Sequence, residues 1–167
     1  MLSYSCKNAG NHSADKAAAG SDTVAGSFGY DLQFLQKQDD SLIVLKSPDE
    51  NAQVIVSPKY QAKVFTSTAE GNSGQSFGWV NYKAFNGVPD PHMNAYGGEN
   101  RFWLGPEGGK FSLFFKPGAK MVFDNWKTPA AFDSEAWESV RKGAESVALK
   151  KIMNLTNYAN TPLEIMV

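Results

Sequence analysis

Short runs of hydrophobic residues, separated by turn-forming residues, make up the first half of the chain. Residues 41–46 are a partly β-branched run of strand length, and residues 47–51 combine Pro, Asp and Asn, which favour turns. Residues 52–57 then have the pattern of a returning strand, and residues 62–68 that of a further strand. The pattern predicts a β-hairpin followed by another strand.

Short strands are also predicted in the second half of the chain. Hydrophobic runs at residues 101–104 and 111–115 flank a glycine-rich turn, and residues 137–141 and 146–157 have the pattern of a second hairpin. Residues 161–167 alternate between apolar and polar positions and predict a last strand. Because this strand stops without a turn or a polar tail, we expect further chain to follow it; a natural C-terminal strand is the alternative.

Helical signals are few. Residues 28–37 have the pattern of a short helix, with Asp31 as its candidate N-cap. Residues 86–98 hold two Pro, three Gly and two Asn and predict a long irregular loop. Many short strands with at most one or two short helices are typical of an antiparallel sandwich or barrel. The sequence therefore predicts an all-β fold, an antiparallel β-sandwich, in residues 28–167.

Residues 1–27 are rich in Ala, Gly and Ser and have no hydrophobic period, which is typical of a flexible tether. Cys6 in this tether is followed by small and polar residues, as is the cysteine at the start of mature bacterial lipoproteins. We expect a lipid on Cys6 to hold the domain at the cell envelope, as its only attachment to a membrane. The residues before Cys6 include no basic or apolar leader, so an ordinary exposed thiol is the alternative. The upstream coding sequence would distinguish the two.

Composition excludes several classes of function. The net charge of −1 creates no general field for nucleic acid, and a single Cys cannot form an internal disulfide. One Cys and two His cannot close a zinc site without carboxylates, and no GxGxxG or Walker motif is present for a nucleotide. We therefore expect no cofactor and no nucleic-acid partner. All four Trp and 14 of the 21 aromatic residues lie between Phe77 and Trp137.

The candidate chemistry is densest in residues 96–111, which combine two glutamates, one arginine, one tryptophan and several glycines. If residues 101–104 form a strand, Arg101 and Trp103 share one face while Phe102 and Leu104 face the core. An indole plane beside a forked donor suits a sugar, because the C–H face of the ring packs on the indole and the hydroxyls bind polar groups. We expect this face to contact a carbohydrate.

Other interpretations of this segment stay open. The glycines can form turns, and either Glu99 or Glu107 can pair with Arg101 as a purely structural ion pair. The same two glutamates are a candidate acid/base pair of the kind that glycosidases use, which requires carboxyl groups across a cleft. His92 is a candidate general acid or sugar donor, or an exposed loop residue. Asp90, His92 and Glu99 suffice in number for a metal, but no spacing rule supports one, so no metal site is predicted.

Four motifs carry a resemblance to a known family. Residues 97–109 read Gly-Gly-Glu-Asn-Arg-Phe-Trp-Leu-Gly-Pro-Glu-Gly-Gly, and further matches lie at residues 28–35, 65–69 and 76–81. From about Phe28 to its end, the chain resembles an uncharacterised family of bacterial proteins, found chiefly in Bacteroidetes-type organisms and often lipoproteins. The resemblance implies a relation to the galactose mutarotase-like supersandwich, which binds carbohydrate. It also implies that the chain is an N-terminal portion of a longer protein and that Cys6 is lipidated.

A more distant similarity is to the aldose 1-epimerases. Their Asn-Arg pair precedes a strand in a glycine-rich stretch, and its Arg contacts the sugar; Asn100 and Arg101 are similar in position. The general acid His and general base Glu of those enzymes lie further along the chain. Because no His follows His92 in this sequence, the resemblance does not imply catalysis by this chain alone.

The sequence leads to one main hypothesis and two alternatives. The main hypothesis is a carbohydrate-recognising domain of a bacterial cell-envelope lipoprotein. The first alternative is a carbohydrate-active enzyme, a mutarotase-like isomerase, hydrolase or lyase, with acid/base residues partly outside this chain. The second is a structural or interaction protein without a small-molecule ligand. The predicted ligand contacts are Arg101, Glu99 and Trp103, followed by Glu107, His92 and Asn100.

Overall fold

The computed structural model describes residues 24–167. Cys6 and all but the last four residues of the predicted tether lie outside the described residues, so the tether and its lipid stay predictions. The strands are β1 (Ile43–Lys46), β2 (Gln53–Ser57), β3 (Lys63–Thr68), β4 (Glu138–Lys142), β5 (Val147–Lys150), β6 (Ile152–Thr156) and β7 (Pro162–Met166). The helices are α1 (Phe28–Gln36), α2 (Tyr82–Phe85) and α3 (Ala130–Asp133), with a 3-10 helix at Phe123–Asn125.

The fold is all-β, as predicted, with antiparallel sheets and few short helices. A three-stranded sheet has the order β1-β2-β3, and two further sheets are the hairpins β4-β5 and β6-β7. The predicted first hairpin, the strand that follows it and the last strand are confirmed. Within residues 24–167, α1 is the one helix longer than four residues. No helix in this part of the chain combines the length and the hydrophobicity that a bilayer span requires.

The helix α1 begins at Phe28, the first residue of the predicted range, but is capped differently than expected. Ser27 has extended backbone angles, φ −83° and ψ 153°, and its Oγ accepts a hydrogen bond from the Tyr30 amide at 3.3 Å. The prediction of Asp31 as N-cap was therefore wrong. Asp31 is buried in the first turn, where its carboxylate accepts hydrogen bonds from the hydroxyls of Ser76 and Tyr82. It ties the helix to residues that follow β3.

Two predictions in the second half of the chain were also wrong. Residues 101–104 and 111–115 belong to no strand, because their backbone joins no ladder. Several of their side chains pack into a hydrophobic core instead. The predicted strand at residues 146–157 is two strands, β5 and β6. The chain changes partner at Lys151, whose backbone exchanges two hydrogen bonds of 3.0 Å with Val167. β5 therefore pairs with β4, and β6 pairs with β7.

Two hydrophobic clusters hold these sheets, and aromatic residues dominate both. The N-terminal core lies between α1 and the three-stranded sheet; its buried members are Phe28, Leu35, Ile55, Phe65, Val80 and Tyr96. The C-terminal core lies under the two hairpins; its buried members are Phe114, Phe115, Ala131, Phe132, Trp137 and Met153. Most of the aromatic-rich segment that the sequence marked is thus core, as is usual for such residues.

The glycine-rich segment is attached by close backbone contact to residues that follow β3 in the chain. Val80 and Gly97 form an isolated antiparallel bridge, and the Gly98 amide donates to the Trp79 carbonyl at 2.7 Å. Gly97 has φ +84°, and a Cβ on it would lie 2.1 Å from the Trp79 carbonyl oxygen. Only glycine fits there, because any side chain would meet both a strained φ and a backbone atom.

The substitution Gly97→Ala tests this attachment. We expect it to lower the free energy of unfolding by at least about 2 kcal/mol, from the positive φ and the clash with backbone. Gly108→Ala is the matched control, because a Cβ at Gly108 meets no atom within 4 Å; its effect should stay within about 0.5 kcal/mol. Urea unfolding measures both. Equal stabilities of the two variants would contradict the attachment.

Candidate functional site

A cleft of about 540 Å³ opens between the loop of residues 86–98 and the segment of residues 105–126. The loop is fixed by a local turn, in which Asp90 Oδ1 accepts hydrogen bonds from the amides of His92 at 2.7 Å and Met93 at 3.3 Å. These bonds, first that of His92 and then that of Met93, lower the pKa of the Asp90 carboxyl. The residues that line the cleft include Asp90, His92, Glu107, Met121, Phe123 and Trp126.

His92 is held in the cleft with one ring nitrogen available. Its Nδ1 lies 2.6 Å from the Trp126 carbonyl oxygen, and its backbone carbonyl accepts from the Thr128 amide at 2.8 Å. A carbonyl oxygen can only accept, so Nδ1 carries the hydrogen and donates it. Nε2 forms no hydrogen bond within the described residues. In the neutral imidazole, it is an acceptor for a ligand hydroxyl.

Glu107 is oriented from two sides. Its Oε1 accepts a hydrogen bond from the Trp103 indole Nε1 at 2.9 Å, and its backbone carbonyl accepts from the Ser112 hydroxyl at 2.7 Å. The Arg101 guanidinium carbon lies 4.4 Å from the centre of the Trp103 ring, a cation–π distance. Glu107 Oε2 has no hydrogen-bond partner in residues 24–167, so one carboxylate oxygen is free to bind a ligand.

Four rings with nearly parallel planes run from the cleft into the C-terminal core. Phe123 stacks on His92 with 4.4 Å between ring centres and 18° between planes. Trp126 lies 6.3 Å from Phe123 at 12°, and Phe114 lies 5.2 Å from Trp126 at 10°. Phe123 is 69% exposed, whereas Phe114 is buried. The buried Phe114 ring therefore holds the row of rings in place, with Phe123 as its exposed aromatic surface.

The geometry of the cleft suits a polyhydroxylated ring. An exposed aromatic surface packs against C–H groups, and a carboxylate oxygen and an imidazole nitrogen beside it accept hydrogen bonds from hydroxyls. A flat apolar surface with a few polar groups at its edge is also the usual composition of a small-molecule site.

A buried carboxylate binds the loop that forms one wall of the cleft to two other segments. Asp133, at the end of α3, is paired with Arg101, with 2.6 Å between Nη2 and Oδ1. It also accepts hydrogen bonds from the Asn94 side chain at 2.7 Å and the Gln61 side chain at 2.9 Å. These partners come from the loop, the residues before β3 and the glycine-rich segment. Asp133 therefore fixes three segments that share no β-ladder.

A second cation lies near this pair. Lys63 is buried, and its Nζ donates to the Gly97 carbonyl. Burial and then the Arg101 guanidinium lower the pKa of Lys63 to about 8, while Asp133 acts in the opposite direction. Arg101 is thus paired with Asp133, and Lys63 is bound by a backbone carbonyl.

The remaining predicted residues lie at the edge of β3. Asn100 Oδ1 accepts from the Val64 amide at 2.8 Å, and Glu99 Oε1 accepts from the Ser67 hydroxyl at 2.7 Å. Neither Glu99 nor Asn100 lines the cleft. Of the six predicted ligand contacts, Glu107 and His92 line the cleft. Trp103 bonds to Glu107 and Arg101 lies on the Trp103 ring, so these two lie behind Glu107, and the other two lie on the sheet.

Sequence reasoning missed two components of the site. Phe123 ends the short apolar run of residues 121–123, which has neither strand nor helix periodicity, so no sequence pattern marked it. No sequence pattern marked Asp133, because the residues that bind it are far from it in the sequence. Among the described residues, no group of three or more His, Cys, Asp or Glu side chains is placed to hold a metal ion.

Comparison with known proteins gives one match. A family of unknown function (DUF6786) matches residues 26–167. No curated protein and no solved structure matches the chain.

Arg101→Met tests the buried ion pair. The substitution leaves the Asp133 charge buried without its counter-ion, and we expect a loss of about 3 kcal/mol in the free energy of unfolding. The matched control is Lys46→Met, which breaks the more exposed Lys46–Glu50 pair of 2.8 Å and should cost less than about 1 kcal/mol. Chemical denaturation measures both. An Arg101→Met variant as stable as the control would show that the pair does not hold these segments.

Proposed function

We propose that this chain, which belongs to the DUF6786 family of unknown function, is a carbohydrate-recognising domain and that the cleft is its glycan site. The observation that carries the proposal is the exposed ring of Phe123, held in a stack beside Glu107 and His92. Phe123 is 69% exposed, and Met93, Met121 and Val122, which are also exposed, line the same cleft. A contiguous exposed apolar patch of this kind favours a binding role.

The binding mode follows from the free atoms of the cleft. The apolar face of a sugar ring packs against Phe123, with Trp126 extending the surface. The hydroxyls of the sugar donate to Glu107 Oε2 and to His92 Nε2, neither of which has a partner in the described residues. Both side chains are already fixed by other hydrogen bonds, so little side-chain entropy is lost on binding.

This mode redistributes the roles predicted from sequence. Glu107 and His92 take the direct contacts, while Trp103 positions Glu107 and Arg101 lies behind Trp103. Glu99 and Asn100 clamp the glycine-rich segment to β3. The cell-envelope location and the lipid on Cys6 remain part of the proposal on the sequence alone. The resemblance to the galactose mutarotase-like supersandwich supports a carbohydrate as the ligand class.

A second candidate is an enzyme that acts on the same ligand. The observation in its favour is that one cleft holds a carboxylate oxygen and an imidazole nitrogen without partners, as acid/base catalysis requires. Proton-exchange NMR on free aldoses tests the isomerase form of this candidate. If the protein does not raise the isomerisation rate above the spontaneous rate, it recognises the sugar without isomerising it.

Binding to immobilised glycans tests the proposal, followed by calorimetry on the glycans retained. We expect Phe123→Ala and Glu107→Gln each to weaken binding about tenfold or more, since each removes one principal contact. The matched controls are Phe77→Ala, which removes an exposed ring elsewhere, and Glu99→Gln. Both should bind as the unmodified protein does. Retention of affinity by Phe123→Ala, or equal losses in the controls, would refute the cleft as the site.

A further inference from the structure

We propose that the cleft selects glycans that carry a free ammonium group, namely hexosamines that are not N-acetylated. The inference rests on the proposed function and names its substrate class. Two carboxylates, those of Asp90 and Glu107, line the cleft, and no Lys or Arg side chain lines it among the described residues. At neutral pH the cleft therefore presents negative charge to its ligand.

Several cations of the neighbouring segments have partners or positions outside the cleft. Arg101 pairs with Asp133 at 2.6 Å and lies on the face of Trp103. Lys63 is buried against the Gly97 carbonyl. Lys116 and Lys127 line a neighbouring cleft, which shares Phe115 with this one. None of these groups lines the cleft, so a cation of the ligand is the complementary partner for its carboxylates.

The aromatic surface adds to the same preference. The face of an aromatic ring carries negative electrostatic potential and attracts an ammonium group within about 6 Å. Phe123, with its exposed ring, and Glu107, with its free Oε2, both line the cleft. An amino group on a sugar ring that packs on Phe123 can therefore contact a carboxylate and an aromatic face at once. Charge-assisted hydrogen bonds of this kind are roughly twice as strong as neutral ones.

The same charges act against other sugars. An N-acetylated amine has no charge and loses the ion pair, although its ring still packs on Phe123. A uronic acid brings its own carboxylate toward Asp90 and Glu107, and like charges at short distance oppose binding. The cleft thus ranks amino sugars above neutral ones and neutral sugars above acidic ones.

Calorimetry with three trisaccharides tests this ranking: glucosamine trimer, N-acetylglucosamine trimer and galacturonic acid trimer. We expect the glucosamine trimer to bind about tenfold more tightly than the N-acetylated one, and the acidic trimer to bind most weakly. Raising the salt concentration should weaken the first and leave the second nearly unchanged, because only an ion pair is screened.

Variants identify the group responsible. Glu107→Gln keeps the shape of the side chain and removes its charge, so it should abolish the preference for the glucosamine trimer. Glu99→Gln removes a glutamate outside the cleft and should leave the preference intact. Equal or tighter binding of the N-acetylated trimer overturns the inference and leaves the proposed function standing. Failure of glucosamine, neutral and acidic glycans alike to bind overturns both.

Discussion

The burial of one carboxylate is the constraint on which the candidate site depends. Asp133 cannot remain charged in the protein interior without partners, and it acquires them from three distant segments: Arg101, Asn94 and Gln61. Arg101 lies two residues before Trp103, which orients Glu107, and Asn94 lies two residues after His92. Glu107, through Trp103, and His92 are thus each anchored to Asp133 through a short stretch of backbone.

This arrangement explains how an irregular region can form a defined surface. The sheets are held by their ladders and by two aromatic cores, but residues 86–126 contain no strand. That region is held instead by hydrogen bonds to Asp133, by the bridge at Gly97 and by the stacked rings from Phe114 to Phe123. Loops placed on a rigid scaffold commonly carry function, and here the polar network under the loops makes them rigid.

Sequence predicted the parts of the fold that local chemistry determines. The first hairpin follows from two short apolar runs around a Pro-Asp turn, and β7 follows from alternation alone. The strand predicted at residues 101–104 is absent because Phe102 and Trp103 pack into the C-terminal core without a partner strand. Asp133 lies 32 residues from Arg101 and 72 from Gln61. No pattern within a short window records such pairings, so the site could be named only in part: Glu107 and His92, but not Phe123.

The central claim, that a glycan binds in the cleft beside Phe123, is tested most directly by the indole N–H signals of the four tryptophans. Trp126 lines the cleft and Trp103 donates to Glu107, whereas Trp79 is exposed elsewhere and Trp137 is buried in the C-terminal core. During titration of the ¹⁵N-labelled protein with glucosamine trimer, the account predicts that the signals of Trp126 and Trp103 shift together while the other two stay in place. A shift confined to Trp79, or no shift in any of the four, would contradict it.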